Sequence, residues 1–292
     1  MNKVTQNPII SLCIPTYNRP EILKKTLDSI YSQGVSDSSF EVCISDDSSD
    51  DRTSIVVEEY LNKHNNIVYR KNNERQIYKN LIEVLKMGRG RLLKLLNDYC
   101  LLKENALSDI ITFISQFNES TGIVFLKNNN DIFFNNIDEL FYFGNYHLTW
   151  CSSFSIWKKD FDKLLQKRSC FDEFFPHFDL LINSSNDNYA VYSKNPFVLQ
   201  KAHNQGGYHL PNEFIIRLFK MIYAHNDKFS QKTIKHFKFK TVEFIAKRFN
   251  IEKISGFEND YYGCSRIIYN EFGIFYCIYY YYRKIICCRR KK

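Results

Sequence analysis

Residues 8–20 read PIISLCIPTYNRP. The run IISLCI, held between Pro8 and Pro15, has the near-continuous apolar character of a strand buried on both faces. Thr16-Tyr17-Asn18-Arg19 follows as a loop, with Asn18 placed to cap a helix and Pro20 suited to its first turn. Leu23, Leu27 and Ile30, spaced by four and three, carry that helix to about Gln33.

The strand-then-helix unit recurs. Phe40–Ser45 (FEVCIS) is a second strand closing in Asp46-Asp47, and Val56, Val57, Tyr60 and Leu61 mark a second helix. Ile67–Arg70 is a third strand; Ile77, Leu81, Val84 and Leu85 give a third helix, stopped by Gly88 and Gly90. Arg91–Leu96 is a fourth strand, a helix covers about 103–117, and Thr121–Lys127 is a fifth strand. This alternation predicts an α/β fold built on an open, mostly parallel sheet flanked by helices. Ligands of such sheets sit outside the carboxyl ends of the strands, so the polar residues after strands one, two and four are the ones to weigh. Beyond 128 the pattern weakens to a polar loop (Asn128–Asn136), helices at 158–167 and near 176–184, and amphipathic helices at Ile215–Ala224 and Thr233–Phe249. The expected organisation is an α/β domain over 1–210 and a helical C-terminal extension over 211–292.

Composition narrows the classes. With 44% hydrophobic and 25% charged residues, a disordered or low-complexity chain is excluded. The net charge is +8, but six positive residues lie in the last ten, which speaks against a spread nucleic-acid footprint. Nine cysteines without a C-x-x-C pair suit a reducing compartment. The apolar stretch of the N-terminus, MNKVTQNPIISLCIP, is too short for a signal peptide. The run Ile274–Tyr282, nine residues, cannot span a bilayer, which takes about 20. A cytoplasmic protein is the expectation.

No G-x-G-x-x-G or G-x-x-x-x-G-K-[ST] occurs, so the sheet holds its ligand in another way. Asp46-Asp47 closes strand two, where a carboxylate can accept hydrogen bonds from a base or ribose; a solvated helix-capping turn is the alternative, and for Asp50 and Asp51 it is the preferred one. Asn97-Asp98 closes strand four, where a carboxylate suits Mg²⁺ or Mn²⁺; a capping turn is again the alternative.

SLCIPTYNRPEILKKTLDSI, VCISDDSSDDRT and NNERQIYKNLIEVLKMGRGRLLKLLNDYC, in this order, resemble the nucleotide-binding half of family 2 glycosyltransferases of the GT-A fold. The resemblance covers residues 8–125 well and 150–205 loosely. It implies that Pro15, Thr16 and Tyr17 cup a nucleobase, that Asp46 holds base or ribose, and that Asn80 and Asn97 belong to the nucleotide site. Asn97-Asp98-Tyr99 falls on the family's D-x-D motif with both outer acids replaced; Asp98, with His203, is the implied ligand for Mn²⁺ or Mg²⁺. Asp179 falls where the family places its acceptor-side carboxylate, with Asp172 and Glu173 as competitors. Three residues after Pro176, Asp179 belongs in the first turn of a helix, whose dipole favours the ionised form.

The implied activity is inverting transfer from a nucleotide sugar, UDP-linked as the family's commonest choice, to a saccharide or lipid-linked saccharide in surface polysaccharide synthesis. A binding protein without transfer and a sugar nucleotidyltransferase are the alternatives; PTYNRP is not the glycine-rich G-x-G-x-R loop of the latter. Tyr276 and Tyr279–Tyr282, interleaved with isoleucines and followed by the basic terminus, suggest peripheral attachment to an anionic membrane at its cytoplasmic face. A terminal helix docked on the protein is the other reading.

Overall fold

The structure is a computed structural model that describes residues 7–200, 209–255 and 260–289, the side chains of 251–255 and 287–289 excepted. The implied ligand His203 lies outside the described residues. Two compact units divide the chain: Met1–Asn136 with Leu148–Ala202, and Ile137–His147 with His203–Lys292.

In the first unit the elements are β1 (Ile10–Thr16), α1 (Pro20–Tyr31), β2 (Phe40–Asp46), α2 (Arg52–Leu61), β3 (Ile67–Lys71), α3 (Asn80–Met87), β4 (Leu92–Leu95), β5 (Cys100–Leu102), α4 (Ala106–Ile114), β6 (Thr121–Phe125) and β7 (Ile132–Phe134). The second unit's α5 (Ile137–Gly144) interrupts them; β8 (Ser155–Trp157), α6 (Lys158–Lys167), α7 (Pro176–Asn183), β9 (Asn188–Tyr192) and β10 (Phe197–Leu199) complete the first unit. The main sheet runs β3-β2-β1-β4-β8, parallel except for the edge strand β8, which pairs antiparallel with β4. The mostly parallel sheet flanked by helices is as the sequence predicts.

Several details differ, among them the strand β7 inside the expected loop Asn128–Asn136. β6 does not join the main sheet; it lies beside β9 in a three-stranded sheet with β7, because an apolar run specifies a strand but not its partner. The fifth main strand is instead β8, three residues long and too short to show a period. Asn18 does not cap α1. It adopts a left-handed conformation (φ 51°), takes a hydrogen bond from the Ser49 N–H (2.9 Å) and donates its own N–H to Ser48 Oγ (2.8 Å), so it stitches two loops together.

Ile10, Leu12 and Ile14 of β1 share one buried core with Leu23, Leu27 and Ile30 of α1. Each such side chain, fully buried, contributes about 1.5–3 kcal/mol. At the amino-terminal end of the sheet Glu41 is buried and satisfied: it accepts the Ser11 hydroxyl (2.6 Å) and the Gly90 N–H (3.1 Å) and pairs with Arg89 (3.0 Å). Gly90 is there for space, since a Cβ on it would stand 2.6 Å from the backbone nitrogen of Ser11.

The second unit is helical. Besides α5 it holds a π-helical turn (Asn212–Arg217), α8 (Leu218–Ala224), α9 (Gln231–Ser255), α10 (Cys264–Phe272) and α11 (Ile274–Arg289). α11 lies along α9: Phe239 meets the rings of Tyr276 (4.8 Å) and Tyr279 (5.3 Å), and Arg283 pairs with Glu243.

Candidate active site

The carboxyl ends of β1, β2 and β4 meet at Thr16, Asp46 and Asp98. Thr16 stands opposite Asp46 in the β1–β2 register, its carbonyl accepts the Asp47 N–H (3.0 Å), and its hydroxyl donates to Asp98 Oδ2 (2.9 Å). Asp46 is fully buried, accepting the Ser48 N–H (2.8 Å) on Oδ1 and the Tyr69 hydroxyl (2.9 Å) on Oδ2. Burial, then this bond to Asp46, pushes the Tyr69 phenol well above its usual range, so it stays a donor.

Asp47, weighed in the sequence together with Asp46, organises the next loop. Its Oδ2 accepts the N–H groups of Gln76 (3.1 Å) and Ile77 (2.9 Å), and its Oδ1 accepts the Asn72 amide (2.8 Å). Ile77 has φ 55°, a costly conformation for a β-branched residue, held in place by that bond. The Asn72 amide also reaches Asn80 Oδ1 (3.2 Å), and the Asn80 amide donates to the Ser45 carbonyl (3.0 Å). Asn80 thus braces strand two from the start of α3. Pro15 is half-buried at the end of β1, opposite Ser45. Tyr17 is 38% exposed, with the Arg75 guanidinium 3.9 Å from its ring centroid.

The segment after β4 is tied on every residue. Asn97 donates its N–H to Ser152 Oγ (2.8 Å) and accepts the Ser152 hydroxyl on Oδ1 (2.6 Å). Asp98, 3% exposed, receives Thr16 on one oxygen and Arg19 Nη1 (3.0 Å) on the other. Burial pushes its carboxyl above the usual range, while Arg19 and Thr16 oppose that shift. The Tyr99 hydroxyl accepts the Trp150 indole N–H (3.4 Å). Behind them the fully buried Lys94 donates to the carbonyls of Leu95 (2.8 Å), Ser152 and Phe154 (3.5 Å).

Asp179 lies in the first turn of α7, as expected from Pro176. Its carboxylate accepts the Arg168 guanidinium twice (2.8 and 3.1 Å), the Asp172 N–H (2.9 Å) and the Asn183 amide (2.7 Å). None of these bonds reaches the Thr16–Asp98 group. Asp172 caps the N–H groups of Phe174 (2.9 Å) and Phe175 (2.6 Å), while Glu173 is exposed. The Phe174 ring packs on Tyr78 at 4.5 Å, which links this segment to the loop organised by Asp47.

A model of glycosyl transferase family 2 matches residues 11–181. The chain belongs to this family. Abequosyltransferase RfbV of Salmonella typhimurium is 45% identical over 65 residues, 22% of this chain and 20% of that protein. Poly(ribitol-phosphate) beta-N-acetylglucosaminyltransferase TarS of Staphylococcus aureus is 27% identical over 121 residues, 41% of this chain and 21% of that protein. The matched stretches span about a fifth of the length of these curated relatives. The crystal structure of TarS 1–349 in complex with UDP-GlcNAc has a TM-score of 0.63 at 15% identity, covering 95% of this chain and 88% of that one. The mannosyltransferase PcManGT from Pyrobaculum calidifontis, in complex with GDP-Man and Mn²⁺, has a TM-score of 0.55 at 12% identity, with coverage of 96% and 88%. Both are likenesses of fold.

For a family 2 member the implied metal site departs from expectation. A hard divalent cation takes several oxygen ligands, carboxylates above all. Here one carboxylate remains, Asp98, and a guanidinium already neutralises it; Asn97 Oδ1 is taken by Ser152. Among the described residues no group of three or more His, Cys, Asp or Glu is placed to hold a metal ion. The described residues therefore do not fit Mn²⁺ or Mg²⁺ as they stand, since Asp98 is the partner of Arg19. Lys94 left a visible trace in the sequence, a lysine inside LLKLL, whereas Arg19, Ser152 and Tyr69 are brought in by the fold and left none.

Proposed function

We propose that this chain transfers a glycosyl residue from a UDP-sugar to a saccharide or lipid-linked saccharide acceptor, with inversion, in the synthesis of a surface polysaccharide. The observation that carries this reading is the junction of Thr16, Asp46 and Asp98 at the carboxyl ends of β1, β2 and β4. An open parallel sheet binds its ligand there. The UDP-GlcNAc bound to TarS supports the donor class, and the names of RfbV and TarS support a glycan acceptor. We assign the chemistry to residues 1–210.

In the reaction the acceptor oxygen bonds to the anomeric carbon as the bond from that carbon to the diphosphate breaks on the opposite face. The nucleoside diphosphate leaves with the electron pair, and the hydroxyl proton passes to a carboxylate. Asp179 is that carboxylate in this reading. To accept the proton it exchanges a neutral donor, the Asp172 N–H or the Asn183 amide, for the hydroxyl, while Arg168 stays paired with it. One observation favours a second reading: Glu173 is exposed, and among the described residues nothing hydrogen-bonds or pairs with its carboxylate.

Turnover of a UDP-sugar panel tests both readings. Asp179→Asn is expected to lower turnover by about 10² or more with UDP binding retained. That loss in Glu173→Gln, with Asp179→Asn active, moves the base to Glu173. Absence of UDP-sugar binding refutes the function.

We further propose that residues 211–292 attach the protein to an anionic membrane at its cytoplasmic face. Ile274, Phe275, Ile278, Tyr281, Tyr282 and Ile285 form an exposed apolar stripe on α11, while Tyr276 and Tyr280 face inward. Four basic residues, Arg289 to Lys292, follow in the sequence and would complement anionic lipid. Among the described residues no helix is long and apolar enough to cross a membrane. The same helix thus supplies the docked face and the attachment face.

A further inference from the structure

A nucleoside diphosphate brings its negative charge to the carboxyl ends of β1 and β4, where the loop after β1 and the segment after β4 converge on one ion pair, Arg19–Asp98. The acid side of that pair is fully committed: one oxygen to the Thr16 hydroxyl, the other to the guanidinium. A divalent cation binding Asp98 would have to displace Arg19 and would find Asn97 and Tyr99 in place of further carboxylates. The cation side lies closer to solvent than the acid side. The Arg19 side chain is 23% exposed, sits two residues beyond Tyr17 on the β1–α1 loop, and carries a planar group that matches phosphate oxygens bidentately. A second guanidinium, Arg75, is exposed and stacks 3.9 Å from the Tyr17 ring centroid on the same loop.

We propose that Arg19, positioned by Asp98 and Thr16, binds the diphosphate of the donor in place of a divalent cation, with Arg75 as the second positive group. Nucleotide binding by this chain is then independent of Mn²⁺ and Mg²⁺. The proposal rests on the nucleotide-sugar reading above. In it Asp98 is a positioning residue: it aims the guanidinium and does not touch a metal.

The test is isothermal titration of the full chain with UDP, in excess EDTA and again in excess Mn²⁺, for the unaltered protein and three variants. The expected result is a dissociation constant that differs by less than about threefold between the two buffers. Arg19→Gln is expected to weaken UDP binding about 10- to 100-fold in both buffers, the scale of one charge-assisted hydrogen-bonding group. Arg19→Lys, which keeps the charge and loses the fork, falls between them, and far-UV circular dichroism verifies that each variant is folded. Asp98→Asn, which retains an oxygen to accept Arg19, is expected to stay within about tenfold of the unaltered protein in EDTA. UDP binding that appears only with Mn²⁺, vanishes in Asp98→Asn and survives in Arg19→Gln overturns the proposal while leaving the nucleotide-sugar reading standing. No UDP binding by the folded chain in either buffer overturns both.

Discussion

Lys94 offers a quantitative handle on the site from behind. It lies fully buried in β4, its ammonium donating to the carbonyls of Leu95, Ser152 and Phe154 and standing 4.3 Å from the Phe125 ring centroid. Burial pulls its pKa from 10.5 down to about 7; the thiols of Cys100, Cys151 and Cys13 oppose the shift. The unfolded chain therefore binds this proton up to the ordinary lysine pKa, whereas the folded chain releases it near neutrality. Between those limits the unfolded state holds more protons, so stability rises with pH at up to about 1.4 kcal/mol per unit from this one group. Lys94→Met removes that contribution. It also leaves carbonyls without a donor, a cost of about 1–3 kcal/mol per group that does not vary with pH. Urea unfolding across the window from about 7 to 10.5 should give curves whose difference has a slope, not merely an offset. Titrating groups that do not interact with Lys94 cancel in that difference. Parallel curves would show that Lys94 titrates as an ordinary lysine and that the three carbonyls fully replace its hydration.

Three further outcomes are expected. Gly90→Ala forces a Cβ against the Ser11 backbone, which cannot give way as a flexible side chain could, and should destabilise the fold by about 1–3 kcal/mol in chemical denaturation. Asp46→Ala should weaken UDP binding by about 1.5–3 kcal/mol while Asp51→Ala, at an exposed position before α2, barely changes it; equal effects in titration calorimetry would contradict the nucleotide role of Asp46. Ile278→Glu combined with Ile285→Glu, both on the outward face of α11, should release the protein from anionic vesicles at low salt with its helical content intact. Unchanged vesicle binding would refute the attachment proposal. Deleting the helix is a poorer test, because it uncovers Phe239 on α9.

How far the sequence could be read follows from the range of each interaction. β1, β2 and α1 were legible because a strand buried on both faces is apolar throughout and a helix packed on a sheet repeats at three and four. β6 was legible as a strand but not as a member of another sheet, since pairing is decided by residues distant in the chain such as Asn188–Tyr192. Thr16, Asp46 and Asp98 could be singled out because each ends a readable strand. Their partners could not: Tyr69 reaches Asp46 from 23 residues away, and Arg19 reaches Asp98 from 79. Asn18 shows the same limit in reverse: its side chain has capping chemistry, but the fold spends its oxygen on Ser49 instead of α1.

The replacements around Asp98 make physical sense as a set. A cluster of carboxylates at the end of β4 is useful when a divalent cation sits among them, but without the cation each one repels the diphosphate. Asn97 and Tyr99 remove two such charges, and both side chains are then absorbed into neutral hydrogen bonds with Ser152 and Trp150. The remaining acid, Asp98, carries a buried charge that would be costly alone; Arg19 and Thr16 satisfy it. Neutral residues at 97 and 99 and a guanidinium on Asp98 both set the local charge in the direction a diphosphate requires. Acids without a metal would repel a diphosphate, and an arginine among several carboxylates would be held too tightly to share. In the proposed reading the replacements leave Arg19, aimed by Asp98 and joined by Arg75, to meet the diphosphate at the end of β4.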